Sequence, residues 1–374
     1  MSEEVVFPKP FDLLDPTVFD EVMVWASNLG ASDVELIPND PIWMRLHGQW
    51  HPVTPQREVT TSEIGVILDA SARQANASAL TQSGTDVDFS HEIKISRGKK
   101  VRFRCNATGC RDGWTNGISM VLRTIPELPP KIDDLGVEPE ILAAAKPKYG
   151  LVLVTGPVGS GKSTLLFSVL RDIAETEQRN ILTYEAPIEF DLMSVPNRKA
   201  PVVQTEVPGH LKDFETAPRN SLRRAGDVGL FGESRDRTTM RNMSIEAETG
   251  VAVYSTVHTN SVAETISRMV REFPWEERDG MAATLLAATR LIVHQRLVPN
   301  LEGTGRVALR EYLVMDETVR RALISKRVDE LIPAMEALVE ERGQTLLADA
   351  KAKFEAGKIP RREYEMFREA KEVR

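Results

Sequence analysis

Residues 151 to 170 read LVLVTGPVGSGKSTLLFSVL, and this stretch decides the fold. Leu151 to Val154 is an unbroken apolar run of strand length, a glycine loop follows, and a helix opens directly after it. Gly156, Gly161, Lys162 and Ser163 stand in the order G-x-x-x-x-G-K-[ST], the phosphate-loop pattern. Its glycines let backbone N–H groups curl around a β-phosphate, Lys162 brings a charge to the β/γ oxygens, Ser163 can ligate Mg²⁺, and the helix dipole favours an anion. Gly156, Pro157, Val158, Gly159, Ser160, Gly161, Lys162, Ser163 and Thr164 are therefore the expected cradle for ATP and Mg²⁺. A dinucleotide fingerprint would share the glycines but needs no phosphate-gripping lysine.

Working outward, strand and helix signals alternate to about Leu297, as in an α/β domain with a mostly parallel sheet. Two strands offer carboxylates at the edge where such sheets bind ligands. Val228 to Phe231 is followed by Gly232 and Glu233, and Glu233 is the expected general base. Ile181 to Tyr184 delivers Glu185, with Pro187 ending the strand and Glu189 shortly after. Glu185 and Glu233 are the candidates to hold Mg²⁺ through water. A third strand, in VAVYSTVHTN, ends at His258, a candidate γ-phosphate sensor, with Asn260 as the expected N-cap of the next helix. Each of these residue types more often serves packing or solvation, and the shared context of a phosphate loop raises the functional reading.

Before the loop, Phe19, Val22, Met23, Ala26 and Leu29 fall at helical spacing, and alternating runs follow at 34–37, 42–46, 87–95, 101–105 and 118–123. That pattern predicts a small α+β domain. In VRFRCN and ISMVLRT the alternation sets Arg102, Arg104 and Arg123 opposite Phe103, Cys105 and Leu122. A solvated polar face is the plain reading; the functional one is a clamp on phosphate, within the subunit or from a neighbour. Truncating Arg104 or Arg123 is expected to leave the apolar core intact. Thr124 to Glu140 carries four prolines and reads as a linker. The expected division is 1–130, 141–310 and a helical extension, 311–374.

The 374 residues carry a net charge of −8, which argues against a polyanionic nucleic-acid partner. Cys105 and Cys110 are too few for a disulfide scaffold and lack the partners of a structural zinc site, so no zinc is expected. The first residues lack a charged and apolar leader pattern, and the most apolar stretch, 281–293, is broken by Arg290. A cytoplasmic chain without direct membrane insertion is expected. A guanine-reading Asn-Lys-x-Asp segment and an LSGGQ-like signature are both absent from the sequence, which disfavours a GTPase or an ABC-type subunit.

In these segments the chain resembles the secretion ATPase superfamily, within it the PilT group of pilus retraction ATPases and the DotB/TraJ group of type IVB secretion and conjugation systems. The resemblance rests on GPVGSGKST as Walker A, ILTYEAPIEF as the Asp box, GESRDRTTM as the Walker B region and ETGVAVYSTVHTNS as the His box, with RFRCN, LRTIP and the tail from TVRRALISKR. It implies a PAS-like N-terminal domain, a RecA-like P-loop domain and a homohexamer. It also implies that Glu233 is the catalytic glutamate, Glu185 and Glu189 the acidic pair, His258 the His-box residue, and Arg104 and Arg123 nucleotide-facing. The chain departs from the pattern at Ala186, where the Asp box usually has aspartate, at Val251, where retraction ATPases often have a second histidine, and at Ser234. The expected role is a motor recruited peripherally to the inner-membrane apparatus of a type IVB-like, Dot/Icm-type secretion system. Its partners would be cytoplasmic components of that machine, and pilus retraction is the alternative.

Overall fold

The computed structural model describes residues 5–72, 74, 76–96, 99–126, 128–207, 209–232 and 236–372. The chain forms two compact units: unit 1 is Met1–Leu128 with Ala186–Asp191, and unit 2 is Pro129–Glu185 with Leu192–Arg374.

Unit 1 runs α1 (Pro16–Asn28), β1 (Asp33–Leu36), β2 (Trp43–Leu46), β3 (Gln49–Pro52), α2 (Thr61–Ser71), α3 (Ala77–Gln82), β4 (Val87–Ser96), β5 (Lys99–Asp112) and β6 (Thr115–Ile125). Its antiparallel sheet has the order β3-β2-β1-β6-β5-β4. Helix α1 starts where the Asp15 side chain accepts from the Thr17 and Val18 amides, two donors that otherwise lack helical partners. Its buried stripe of Phe19, Val22, Met23 and Ala26 joins Phe103, Cys105 and Leu122 in one core, so Cys105 packs as a small hydrophobe. Strand β5 is longer than the 101–105 run, because polar residues at its far end still pair with β6.

Unit 2 runs α4 (Pro139–Ala144), β7 (Gly150–Thr155), α5 (Lys162–Thr176), β8 (Ile181–Glu185), β9 (Val202–Glu206), α6 (Ala217–Leu222), β10 (Val228–Phe231), α7 (Arg237–Glu248), β11 (Ala252–Val257), α8 (Glu264–Val270), α9 (Trp275–Ala288), β12 (Thr289–Pro299), β13 (Arg306–Val314), α10 (Glu317–Ile324), α11 (Val328–Arg342), α12 (Leu346–Glu355) and α13 (Arg361–Glu372). The sheet order is β13-β12-β7-β11-β10-β8-β9, parallel throughout except for β13, which pairs antiparallel with β12. Strands β7 and β11 are buried at every position, the burial expected of a parallel sheet covered on both faces. The fold is α/β with a RecA-like sheet, and its carboxyl edge is where the phosphate loop leaves β7.

One local expectation is corrected. Asn260 does not cap the next helix, which starts later, at Glu264, where Ser261 Oγ accepts from the Glu264 amide. The apolar stretch 281–293 splits into the end of α9 and the start of β12, and Arg290 reaches back to the carbonyls of Ala287 and Ala288 at the junction. Among the described residues no helix is long and apolar enough to cross a membrane.

Candidate nucleotide site

The loop between β7 and α5 has the backbone that its glycines permit. Gly156, Gly159 and Gly161 all have positive φ. A side chain at Gly156 would stand 2.4 Å from the Gln295 carbonyl oxygen, and one at Gly161 would stand 2.8 Å from Gln295 Nε2. The loop lies close against β12. Lys162, 8 % exposed, donates from Nζ to the carbonyls of Gly156 at 2.9 Å and Pro157 at 2.8 Å. Ser160 Oγ is buried without a hydrogen-bond partner among the described residues. Ser163 and Thr164 follow on the first turn of α5, half-buried. Positive-φ glycines, an orphan hydroxyl and a lysine held over the loop fit a polyphosphate, with Ser163 placed to take a metal bound to it.

Beside the loop a cavity of about 270 Å³ is lined by Gly156, Pro157, His258, Asn260, Arg268 and Arg271, among others. His258 stands just past β11 and is exposed, so it ends the strand without entering the core. The segment carrying it is tied down from β13, where Glu311 Oε1 accepts from the Val262 amide at 2.7 Å.

Glu185 is the last residue of β8 and only 2 % exposed. Its Oε1 accepts from Thr183 Oγ1 at 2.5 Å and from Gln204 Nε2 at 3.0 Å. Gln204 in turn accepts from the Leu192 amide, so the carboxylate is oriented by neighbours on β8 and β9. Glu233 lies outside the described residues, as do Ser234 and Arg235. The strand end before it is pinned, because Ser255 Oγ donates to the Phe231 carbonyl and Thr256 Oγ1 to the Gly232 carbonyl, both at 2.8 Å. Among the described residues no cluster of three or more His, Cys, Asp or Glu could hold a metal on protein ligands alone.

The other named residues belong to unit 1. Arg104 and Arg123 are cross-strand partners on β5 and β6. Arg104 Nη1 is 3.9 Å from Glu189, and Arg123 Nε donates to Asp33 at 2.9 Å. Arg102 does not share their exposure: it is 6 % exposed and donates to the Ile188 carbonyl at 3.0 Å. The expected solvated face thus holds two arginines, with the third buried at its end.

Sequence reasoning missed His294, Gln295 and Arg310. His294 is fully buried and shares a hydrogen bond with Thr155, the residue before the loop. Burial, with the nearby charges of Arg296 and Lys162, pushes its imidazole down to about 4. Gln295 donates to the Ser160 carbonyl at 2.7 Å. The signal was a polar run, His294 to Arg296, inside the otherwise apolar strand LIVHQRLV.

A parallel sheet with a glycine loop, a buried lysine and the Glu185 carboxylate at its carboxyl edge defines a P-loop nucleotide-binding protein. The chain belongs to the type II/IV secretion system protein family, whose model matches residues 18–304. It is 33 % identical over 324 residues to a twitching motility protein of Neisseria gonorrhoeae, covering 82 % of this chain and 83 % of that protein. To the type IV pilus retraction ATPase PilT of Pseudomonas aeruginosa it is 32 % identical over 320 residues, covering 84 % and 88 %. Among solved structures, the ATPase DotB of Legionella pneumophila superposes with a TM-score of 0.90 at 38 % identity, covering 98 % of this chain and 99 % of that one. A pilus retraction motor PilT with bound ADP superposes with a TM-score of 0.78 at 30 % identity, covering 92 % and 95 %.

Proposed function

We propose that the chain is a homohexameric motor that hydrolyses Mg·ATP to energise a type IVB-like secretion apparatus from the cytoplasmic face of the inner membrane. The likeness to DotB over nearly the full length of both chains is the observation that carries this reading. In the chemistry proposed, the loop amides and Lys162 hold the β/γ phosphates, and Ser163 takes the magnesium ion. Glu233 accepts a proton from the attacking water, Glu185 orders water around the metal, Glu189 completes the acidic pair, and His258 reads the γ-phosphate from the adjoining cavity. A bound magnesium ion, which Ser163 would hold, would supply charge neutralisation at the phosphates; the protein's own part is to position and to move the proton. Arg104 and Arg123 are proposed to add positive charge during turnover.

The second reading, a pilus retraction motor, is supported by the identities to the twitching motility protein and PilT. Deleting the gene in its own host separates the two. Lost protein export with surface motility intact supports the secretion motor; lost motility with export intact overturns it in favour of retraction. In vitro, particle mass with a non-hydrolysable ATP analogue tests the ring, and a fully active monomer would remove the motor mechanism.

A further inference from the structure

Beneath the phosphate loop a chain of buried polar groups runs through unit 2. Gln295 on β12 and Arg310 on β13 are directly paired in register, and both are almost fully buried, at 3 % and 1 % exposed. Gln295 uses both ends of its amide: Nε2 donates to the Ser160 carbonyl at 2.7 Å, and Oε1 accepts from Arg310 Nε at 2.8 Å. The guanidinium is then satisfied by the segment before α4, donating to the carbonyls of Leu135 at 3.1 Å and Gly136 at 3.0 Å and to Glu138 at 3.1 Å. The Arg310 amide donates to Asp349 of α12 at 2.7 Å, and Lys353 bonds both Asp349, at 2.6 Å, and Glu138, at 3.0 Å.

We propose that Gln295 and Arg310 are positioning residues for the phosphate loop, and that through them α12 and the segment before α4 set the loop's backbone. The mechanism follows from peptide geometry. The bond between Ser160 and Gly161 is planar and trans, so fixing the Ser160 carbonyl toward Gln295 turns the Gly161 N–H the opposite way. That N–H is one of the donors the loop offers to phosphate. Stability alone gives little reason for this arrangement, since well-packed apolar residues commonly replace a buried charged network without loss. A network that ends on one loop carbonyl instead selects one loop conformation. Because the Arg310 amide and guanidinium are both hydrogen-bonded elsewhere, a shift of α12 would reach Ser160 through the side chains of Arg310 and Gln295.

The inference rests on the nucleotide-binding reading, and its test separates the two. Gln295→Glu keeps the acceptor for Arg310 and removes the donor to Ser160; because it also adds a charge that repels phosphate, exchange without nucleotide is the readout specific to the loop anchor. Calorimetry with Mg·ADP should give at least about tenfold weaker binding, and hydrogen exchange at the amides of residues 160–162 should rise without nucleotide, while the melting temperature stays near that of the parent. Lys353→Met should weaken Mg·ADP binding by a smaller factor, and the double variant should be less than multiplicative. Parental exchange at these amides in Gln295→Glu overturns the positioning role, whatever the affinity. Strictly multiplicative effects overturn the link to α12. A parent chain that binds no Mg·ADP sinks the nucleotide reading instead, and the relay then stands or falls on the exchange data alone.

Discussion

Arg104 and Arg123 face each other directly across β5 and β6, two like charges in one cross-strand pair. Such pairs are destabilising unless each charge has its own counterion. Here the two are unequal. Arg123 is bonded to the buried carboxylate of Asp33, whereas Arg104 lies 3.9 Å from the half-exposed Glu189.

Arg123→Ala should therefore cost about 1–2 kcal/mol, because Asp33 loses a charged donor while remaining buried. Arg104→Ala should stay within about 0.5 kcal/mol. Neither truncation removes a residue of the apolar core, so the difference lies in the ion pair. Turnover should show the reverse order: the loosely held Arg104 is the arginine free to serve the phosphoryl transfer, and its loss should lower kcat by about 10²-fold or more. Chemical denaturation and steady-state ATPase rates check both. Unchanged turnover in both variants would withdraw unit 1 from catalysis.

Lys162→Ala should abolish nucleotide binding, while Glu233→Gln should bind ATP and fail to hydrolyse it, since only the second step needs a base. Equilibrium binding and phosphate release measured on the same preparations separate the two defects. Parental hydrolysis by Glu233→Gln would refute the general-base assignment.

Gly156→Ala should lose the loop even though the change adds a single methyl group. At φ +142 an L side chain is strained, and its Cβ would meet a backbone oxygen of β12 that cannot rotate away. Binding should fall at least as far as in Lys162→Ala, with a melting temperature several degrees lower for a loss of about 1–3 kcal/mol. Melting and binding at parental values would contradict the close approach of loop and strand.

Two buried groups give opposite responses to pH. His294, held down to about 4 by burial and by Arg296 and Lys162, stays neutral in the fold while the unfolded chain takes up a proton near 6.5. Its contribution is present above pH 6.5 and is lost as the pH falls toward 4, by up to about 3 kcal/mol. Glu246, fully buried on α7 and pushed up to about 8 by burial, keeps its proton in the fold while the unfolded chain releases it near 4.5. Stability is lost as the pH rises from 4.5 to 8. Between about pH 4.5 and 6.5 the two slopes oppose each other. Denaturation across pH 4–9 should show His294→Gln destabilising with rising pH and Glu246→Gln destabilising with falling pH below 6.5. Profiles of both variants parallel to the parent would exclude these groups as the source.

The phosphate loop was legible in the sequence because its function fixes residue types at fixed spacing, and the strands around it were legible because full burial demands continuous apolar runs. Arg102 illustrates the limit: alternation assigned it to the face of Arg104, but the distant Ile188 carbonyl covers it. Gln295 and Arg310 were hidden for a related reason. Their meaning depends on strand pairing, and nothing local to LIVHQRLV tells which residue of β13 stands opposite. Asn260 was misread because Ser261 and Glu311 already satisfy the amides before α8.

The short stretch Ala186–Asp191 belongs with unit 1 although about 60 residues separate it from Leu128. Lys100 bonds Asp191 and Arg102 bonds the Ile188 carbonyl, so strand β5 has partners that are made late. On the ribosome, at ~5–20 residues per second, the six strands of unit 1 emerge several seconds before those partners do. The amino-terminal unit is synthesised first yet cannot be completed until Ala186–Asp191 emerges, by which time the phosphate loop has already left the exit tunnel.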